Sequence, residues 1–302
     1  MEKIRTLNKV DIATITVARD IMGLKIGDRL KSVKEYSEEL QMSVGSVQKA
    51  FEILESEKCI SLSKKGVFGK ILETKYDDKL IKKAFINSIV GVMPLPYSKR
   101  YEGLAMAIKN SFEKHGITFY FAYMQGSRVR LKLLESGIYD FALMSNLAFK
   151  NSDKKNIKKV FSLGPESYVS KHVLLKVPTK SKKIRVGIDK NSEDQYFLSN
   201  QYFSGKDYDV IDVNSDNIVK DMQNSLIDQA ILSLDEIEEK LINGIEVQDI
   251  FDKEYINLAN EAVIVINKSD KLMESLVKNI LDIKYIKKIQ KDVLEKIIVP
   301  RY

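Results

Sequence analysis

Two helix-start signals stand eleven residues apart in the stretch Ser32-Val33-Lys34-Glu35 through Ser43. No single helix can run through both, and this restricts the fold more than any other feature of the chain. Ser32 with Glu35 three residues on is a capping box, with the serine oxygen accepting from the Glu35 N–H and the glutamate reaching back. It predicts a helix over about 33–40, with Val33, Tyr36 and Leu40 inward. Gln41-Met42 reads as a short turn. Ser43 then starts a helix over about 44–57, with Val47, Ala50, Phe51 and Leu54 as its buried stripe. Two helices joined so tightly form a helix-turn-helix. Upstream, Val10, Ala13, Val17, Ile21 and Leu24 mark one face of a helix over about 7–22, ended at Gly23 or the Gly27-Asp28 turn. Downstream, Ile60 and Leu62 alternate, Lys64-Lys65-Gly66 turns, and Val67 to Leu72 alternates again, a β-hairpin with a basic tip. The expectation for residues 1–75 is a winged helix.

The second helix of such a pair must cross the first to lay its solvent face in a DNA major groove. That face carries Gly45, Ser46, Gln48, Lys49 and Glu52. The small residues allow close approach, and Gln48 suits a base edge, most naturally adenine. Lys34, Lys49, Lys64 and Lys65 suit phosphates. Ser32 and Ser43 at the helix starts and Gly66 in the wing tip complete the expected DNA-facing set. The competing reading is a three-helix packing module with an idle surface. Charge gives DNA weak support. The net charge is +7, and residues 1–76 hold 14 basic and 11 acidic side chains, so +3 of it.

Gly27-Asp28-Arg29-Leu30-Lys31-Ser32, with Leu40, Ser43, Val47, Ala50, Leu54 and Gly66, resembles the winged helix of GntR-type transcription regulators. The chain departs from that pattern at Lys31 for proline, at Val44 and Gln48 where arginines usually meet DNA, and at Lys58 for a glycine before the wing. The resemblance implies an operator-binding head.

Residues 73–79 read as a short linker or helix start. Beyond them strand and helix signals alternate. Ser88–Met93 is a short apolar run stopped by Pro94 and Pro96, a helix follows over 101–115, then a strand over 118–124, a helix over 128–135 and a strand over 139–144. This order predicts a parallel sheet with helices on both faces. It repeats as a strand over 183–188, a helix over 193–203, and segments at 209–213, 215–225 and 229–232. Val90-Gly91-Val92 is echoed by Val186-Gly187-Ile188, and Asp140-Phe141-Ala142-Leu143-Met144-Ser145 by Asp228-Gln229-Ala230-Ile231-Leu232-Ser233. The echoes predict two similar α/β lobes in residues 80–302.

Ligands of open α/β sheets bind beyond the C-terminal ends of the strands. The loops there supply Pro94, Tyr97, Arg100, Tyr101, Gln125, Gly126, Ser127, Arg128, Ser145, Asn146, Asp189, Ser192 and Gln195. Ser192-Glu193-Asp194-Gln195 reads as a capping box that opens helix N–H groups to the crevice. With Arg100 and Arg128 it suits a carboxylate or phosphate, and Tyr97 and Tyr101 suit a ring or sugar. Each could equally be a cap, a turn or a solvated charge.

Val90-Gly91-Val92-Met93-Pro94-Leu95-Pro96-Tyr97, Tyr101-Glu102-Gly103-Leu104 and the ending from Ile289-Gln290 to Pro300-Arg301-Tyr302 resemble YhfZ-like regulators, with a type 2 periplasmic-binding-protein-like effector domain. The resemblance implies a chain that crosses to the second lobe and returns. Lobe 1 is then about 80–173 and 255–302, with Glu261–Val265 returning and two helices after it. Lobe 2 is about 174–254.

Catalytic vocabulary is sparse. His115 and His172 lack metal-ligand neighbours at helical spacing, no phosphate loop, dinucleotide fingerprint or Gly-x-Ser-x-Gly elbow occurs, and Cys59 sits in an apolar run. One cysteine excludes an internal disulfide and fits a cytoplasmic protein. No run approaches the 18 apolar residues of a membrane span. The expectation is therefore a cytoplasmic, homodimeric regulator with duplex DNA and a small, anionic metabolite as partners, no metal or cofactor, and no enzymatic activity. The alternative is a small-molecule-binding protein or enzyme whose N-terminal module serves assembly only.

Overall fold

The structure is a computed structural model that describes residues 7–64, 70–179, 182–238, 243–250 and 253–301. Near its N-terminus lie α1 (Lys9–Met22), α2 (Val33–Glu39) and α3 (Val44–Ser56), then the antiparallel pair β1 (Ile60–Lys64) and β2 (Lys70–Lys75), and α4 (Asp77–Lys83). Both expected serine starts are present. Ser32 and Glu35 form a reciprocal box, and the Ser43 hydroxyl accepts from the Ser46 N–H. A third cap went unread in the sequence: Asn8 and Asp11 make a box that starts α1. Between α2 and α3 the chain turns at Gln41, whose φ of 51° is left-handed. Tyr36 packs edge-on to Phe51 at 5.8 Å, which fixes the crossing of α2 on α3.

Lys58 adopts the left-handed backbone that favours glycine. It follows the C-cap of α3 with φ 54°, and the Cys59 N–H reaches back to the Leu54 carbonyl at 2.8 Å. That is a Schellman closure, which glycine adopts without steric cost. Residues 27–30 lie against β2 through the Gly27–Leu72 and Leu30–Lys70 backbone bonds and the isolated Arg29↔Ile71 bridge. The hairpin tip, with Lys65 and Gly66, lies outside the described residues. Lys64 is placed by its backbone pairing with Lys70. Cys59 is buried.

Lobe 1 contains β3 (Ser88–Met93), α5 (Lys99–Lys114), β4 (Thr118–Tyr123), α6 (Ser127–Glu135), β5 (Phe141–Ser145), α7 (Asn146–Asn151) and β6 (Ile157–Ser162). Lobe 2 contains β7 (His172–Lys176), β8 (Ile184–Ile188), α8 (Glu193–Tyr202), β9 (Tyr208–Asp212), a 3-10 turn at Ser215–Asn217, α9 (Ile218–Gln223), β10 (Gln229–Ser233), α10 (Leu234–Glu238), β11 (Glu246–Asp249) and α11 (Lys253–Ala259). The chain returns as β12 (Ala262–Asn267), α12 (Lys271–Ile280) and α13 (Ile283–Leu294).

The sheets run β4-β3-β5-β12-β6 and β11-β7-β10-β8-β9. They are mixed, not parallel throughout. β3 pairs parallel with β5 and β8 with β10, but β12 lies antiparallel between β5 and β6, and β7 antiparallel to β10. Each lobe thus receives one reversed strand where the chain enters or re-enters it. The echoes correspond to the β3/β5 and β8/β10 pairs. In both, an aspartate clips the pair: Asp140 accepts from the Val90 N–H at 2.7 Å, and Asp228 from the Arg185 N–H at 2.8 Å. Gly91 and Gly187 admit no side chain, since an added Cβ would meet Phe141 or Ile227 at 2.6 Å.

The lobe boundaries differ from the expected ones. His172–Lys176 already belongs to the lobe 2 sheet, and Tyr255, Ile256, Leu258 and Ala259 of α11 pack into the lobe 2 core. The chain also divides into two compact units. The first joins residues 1–88 with 115–118 and 269–280, and the second holds both lobes. α12 is thus part of the head unit. Its Met273, Leu276, Val277 and Ile280 are buried, it packs on α1, and Lys271 Cβ would touch any Cβ at Gly23 at 2.9 Å.

Candidate functional site

Within the head, α3 buries Val47, Ala50, Phe51 and Leu54, a stripe that turns the opposite face outward. Ser43, Gly45, Gln48, Lys49 and Glu52 are exposed and Ser46 is half-buried. Val44, at 52% exposure, is an apolar residue presented at the start of that helix. Lys34 and Ser32 are exposed on α2. Lys34 lies 3.8 Å from Glu38 and Lys49 3.3 Å from Glu52, pairs that solvent screens and phosphate can displace.

The second unit holds a cavity of about 100 Å³ in the cleft between the lobes. Of the expected ligand residues, Pro94, Tyr97, Tyr101, Gln125, Gly126, Ser127, Asp189 and Ser192 line it. Five do not. Arg100 donates to Asp235 at 3.0 Å and to the Glu166 carbonyl at 2.5 Å, tying the lobes together beside the cavity. Arg128 pairs with Glu193 at 2.7 Å. Ser145 caps α7 and donates to Asp194 at 2.5 Å. Asn146 is held by Glu261. Gln195 accepts from the Asp189 N–H, so the expected box at Ser192 does not form, and Ser192 makes no side-chain cap.

Sequence reading missed Arg130, Tyr168, Val169, His172, Glu193, Asp194, Ser215, Asp216 and Glu236 in the lining. Arg130 was legible. Ser127, Arg130 and Leu134 are the buried residues of α6, spaced three and four apart on one face. Asp216 and Glu236 follow β9 and β10, ends of lobe 2 strands that the same sheet rule singles out.

Polar groups dominate the cleft. Asp216 accepts from Tyr97 at 3.2 Å and Gln125 at 2.5 Å across it. Asp189 organises its own loop, accepting from Asn191 and Ser215. Arg130 is 3% exposed and donates to the Met124 carbonyl at 2.7 Å and weakly to the Tyr168 hydroxyl at 3.4 Å, while its Nε has no partner among the described residues. His172, 7% exposed, likewise leaves Nδ1 unpaired. Burial pushes His172 down to about 4, so its ring is neutral at pH 7. Burial pushes the Asp194 carboxyl up to about 7, against the opposing pull of the Ser145 hydroxyl and Arg130. Burial also raises the Tyr97 and Tyr168 hydroxyls to about 12, so both are donors at neutral pH.

A helix-turn-helix head joined to a two-lobed body with a polar cleft defines a class. The arrangement is that of a helix-turn-helix protein with a ligand-binding-like domain, which points to a regulator rather than an enzyme. Residues 25–72 match the model of a helix-turn-helix domain, and residues 77–302 that of the YhfZ C-terminal domain. The chain belongs to the YhfZ family. It is 32% identical over 278 residues to YhfZ of Escherichia coli (strain K12), covering 91% of this chain and 92% of that one. YhfZ from Shigella flexneri, solved as a crystal structure, is similar at 31% identity with a TM-score of 0.64, over 74% of this chain and 97% of that one. The amino acid ABC transporter substrate-binding protein AbpA from Streptococcus pneumoniae shares the fold at 18% identity and a TM-score of 0.50, over 72% and 98% of the two chains. No helix among the described residues is long and apolar enough to cross a membrane.

Proposed function

We propose that the chain is a ligand-responsive transcription regulator whose GntR-like winged helix binds an operator as a homodimer in the cytoplasm, and whose cleft binds a small polar metabolite. The observation that carries the reading is the outward face of α3, with Gln48 and Lys49 exposed on a helix whose opposite stripe is fully buried. Paired heads meet half-sites about 34–36 Å apart, so a small rotation of one head changes affinity. Five hydrogen-bonded links span the lobes: Tyr97–Asp216, Gln125–Asp216, Arg100–Asp235, Arg128–Glu193 and Ser145–Asp194. A ligand seated among them favours the closed pair of lobes, and coupling of this kind is typically about 1–3 kcal/mol. The route from lobe to head is covalent. β12 of lobe 1 runs into α12, which packs on α1 of the head.

The expected anion needs revision. Arg100 and Arg128, the basic groups that suggested it, are engaged by Asp235 and Glu193. Carboxylates outnumber Arg130 in the lining. The test of the regulator is selection of duplex from a random pool by the purified full chain at moderate salt. Enrichment of a motif with two half-sites supports it, and equal binding to all duplexes refutes it.

A further inference from the structure

Basic side chains gather in a second cavity, formed within the head unit. It measures about 400 Å³ against about 100 Å³ in the cleft, inside the range of roughly 300–1,000 Å³ typical of small-molecule sites. Arg19, Arg29, Lys31 and Lys271 line it, with Asp20 and Asp270 as the carboxylates. Both carboxylates are engaged. Asp20 takes the Lys31 ammonium at 2.8 Å, and Asp270 accepts from the Met273 N–H at 2.8 Å at the start of α12. Lys31 is engaged in turn, since Glu39 also lies 2.8 Å from it.

The other three basic groups keep donors to offer. Arg19 gives Nε to the Ala84 carbonyl at 2.9 Å, a bond that orients the guanidinium and leaves its terminal nitrogens without a partner among the described residues. Arg29 makes no ion pair or side-chain hydrogen bond among the described residues, although Glu35 feels its charge. Lys271 shares Glu274 with Lys278, which is the nearer at 2.8 Å against 3.7 Å. Such exposed pairs are screened by solvent and readily exchanged.

Chain geometry brings the three together. Arg19 and Gly23 are four residues apart, on one face at the end of α1. Gly23 has ordinary helical backbone, φ −76°, so no turn demands a glycine there. What its missing side chain admits is Lys271, whose Cβ would stand 2.9 Å from an added Cβ. The Lys31–Asp20 pair holds the segment that carries Arg29 against the same end of α1. Leu24 and Leu272, both half-buried, add an apolar wall. Two guanidinium forks and an ammonium on one concavity suit a phosphomonoester, which carries about −1.5 to −2 charge at pH 7 on three acceptor oxygens.

We propose that the head cavity is a second binding site, for a small phosphorylated metabolite whose phosphoryl oxygens accept from Arg19, Arg29 and Lys271. Its carbon skeleton lies on Leu24 and Leu272, and it bridges α1, the entry to α2 and the start of α12. The site stands apart from the cleft and from the operator reading.

The full chain is titrated calorimetrically at low salt with glycerol 3-phosphate, ribose 5-phosphate and adenosine 5′-monophosphate. Glycerol, ribose and adenosine are run in parallel, with succinate as a dianion without phosphorus and duplex DNA as the other source of phosphoryl groups. At least one ester binds saturably, and its parent alcohol and succinate bind at least about tenfold more weakly, the loss expected from one charge-assisted hydrogen bond. Arg19→Gln and Arg29→Gln each weaken the ester by about tenfold or more. Arg29 is exposed, so Arg29→Gln serves if Arg19→Gln, which gives up the Ala84 bond, does not fold. Lys284→Gln, which removes an exposed charge of α13, leaves ester binding unchanged. No saturable binding by any ester at millimolar concentration overturns the proposal, and duplex binding weakened by both arginine variants would then assign the cavity to the DNA backbone. Succinate binding as tightly as the ester overturns it too, as does an equal loss from Lys284→Gln. Operator selection on the same preparation bears on the regulator reading alone.

Discussion

Ser32-Val33-Lys34-Glu35 and Ser192-Glu193-Asp194-Gln195 are the same motif, and the protein uses them differently. At the exposed entry to α2 the box closes in both directions, Glu35 on the Ser32 N–H and Ser32 on the Glu35 N–H. The Ser32 backbone and hydroxyl bonds hold the Glu35 carboxyl below its usual range. In the cleft, Gln195 is buried and turns away from its cap, accepting from the Asp189 N–H and lying 3.5 Å from the Gly187 carbonyl. Water serves the first site's alternatives, so the local rule decides. Buried backbone groups at the second need partners more than the helix end does. Diverting Gln195 leaves the Ser192 hydroxyl in the cavity lining.

The largest effect that sharpens this contrast lies in the head. Phe51 is 1% exposed against Tyr36, and Phe51→Ala is expected to cost about 3–5 kcal/mol. Duplex binding is lost while calorimetric ligand binding by the cleft persists. Loss of both would show that the two regions fold as one.

A smaller loss follows at Gln195. Gln195→Ala leaves the Asp189 N–H unpaired in a buried loop and costs about 1–3 kcal/mol in denaturant unfolding. Ser32→Ala removes a working cap and costs about 1 kcal/mol. Ser192→Ala removes no cap and stays within about 0.5 kcal/mol. Equal losses at the two serines would mean that the cleft motif caps after all.

The same division explains what could be read from sequence. α1, α2 and α3 were legible because periodicity and caps act within a few residues, and the lobes because the Gly91 and Gly187 strands repeat. Within α6 the sequence offered Arg128 and Arg130, two residues apart and so on different faces. Only the stripe Ser127, Arg130, Leu134 distinguishes the buried one. Tyr168 and Val169 lie in the crossing between β6 and β7, where no period exists and position is set by residues far along the chain. α12 shows the limit of assigning elements by chain order. It follows a lobe 1 strand, yet its apolar stripe is buried in the head unit.

In the parent chain the smallest effect is the net pH dependence between about pH 4 and 6.5, because two buried groups of the cleft oppose each other. Asp194 titrates at about 7 in the folded chain against 3.8 for the ordinary side chain. The folded state holds a proton that the unfolded state has released, so this group's contribution is complete below about pH 4 and declines as pH rises towards 7. His172 titrates at about 4 against 6.5, so the unfolded state takes up the proton and its contribution is complete above about pH 6.5 and is lost as pH falls. Asp194 faces Ser145, Arg130 and Glu193, and His172 feels Asp235. Between about pH 4 and 6.5 their slopes offset. Relative to the parent, His172→Gln therefore loses stability as pH rises through this window, and Asp194→Asn gains it. Difference curves from denaturant unfolding check the pair. Parallel curves for both variants would remove the opposition.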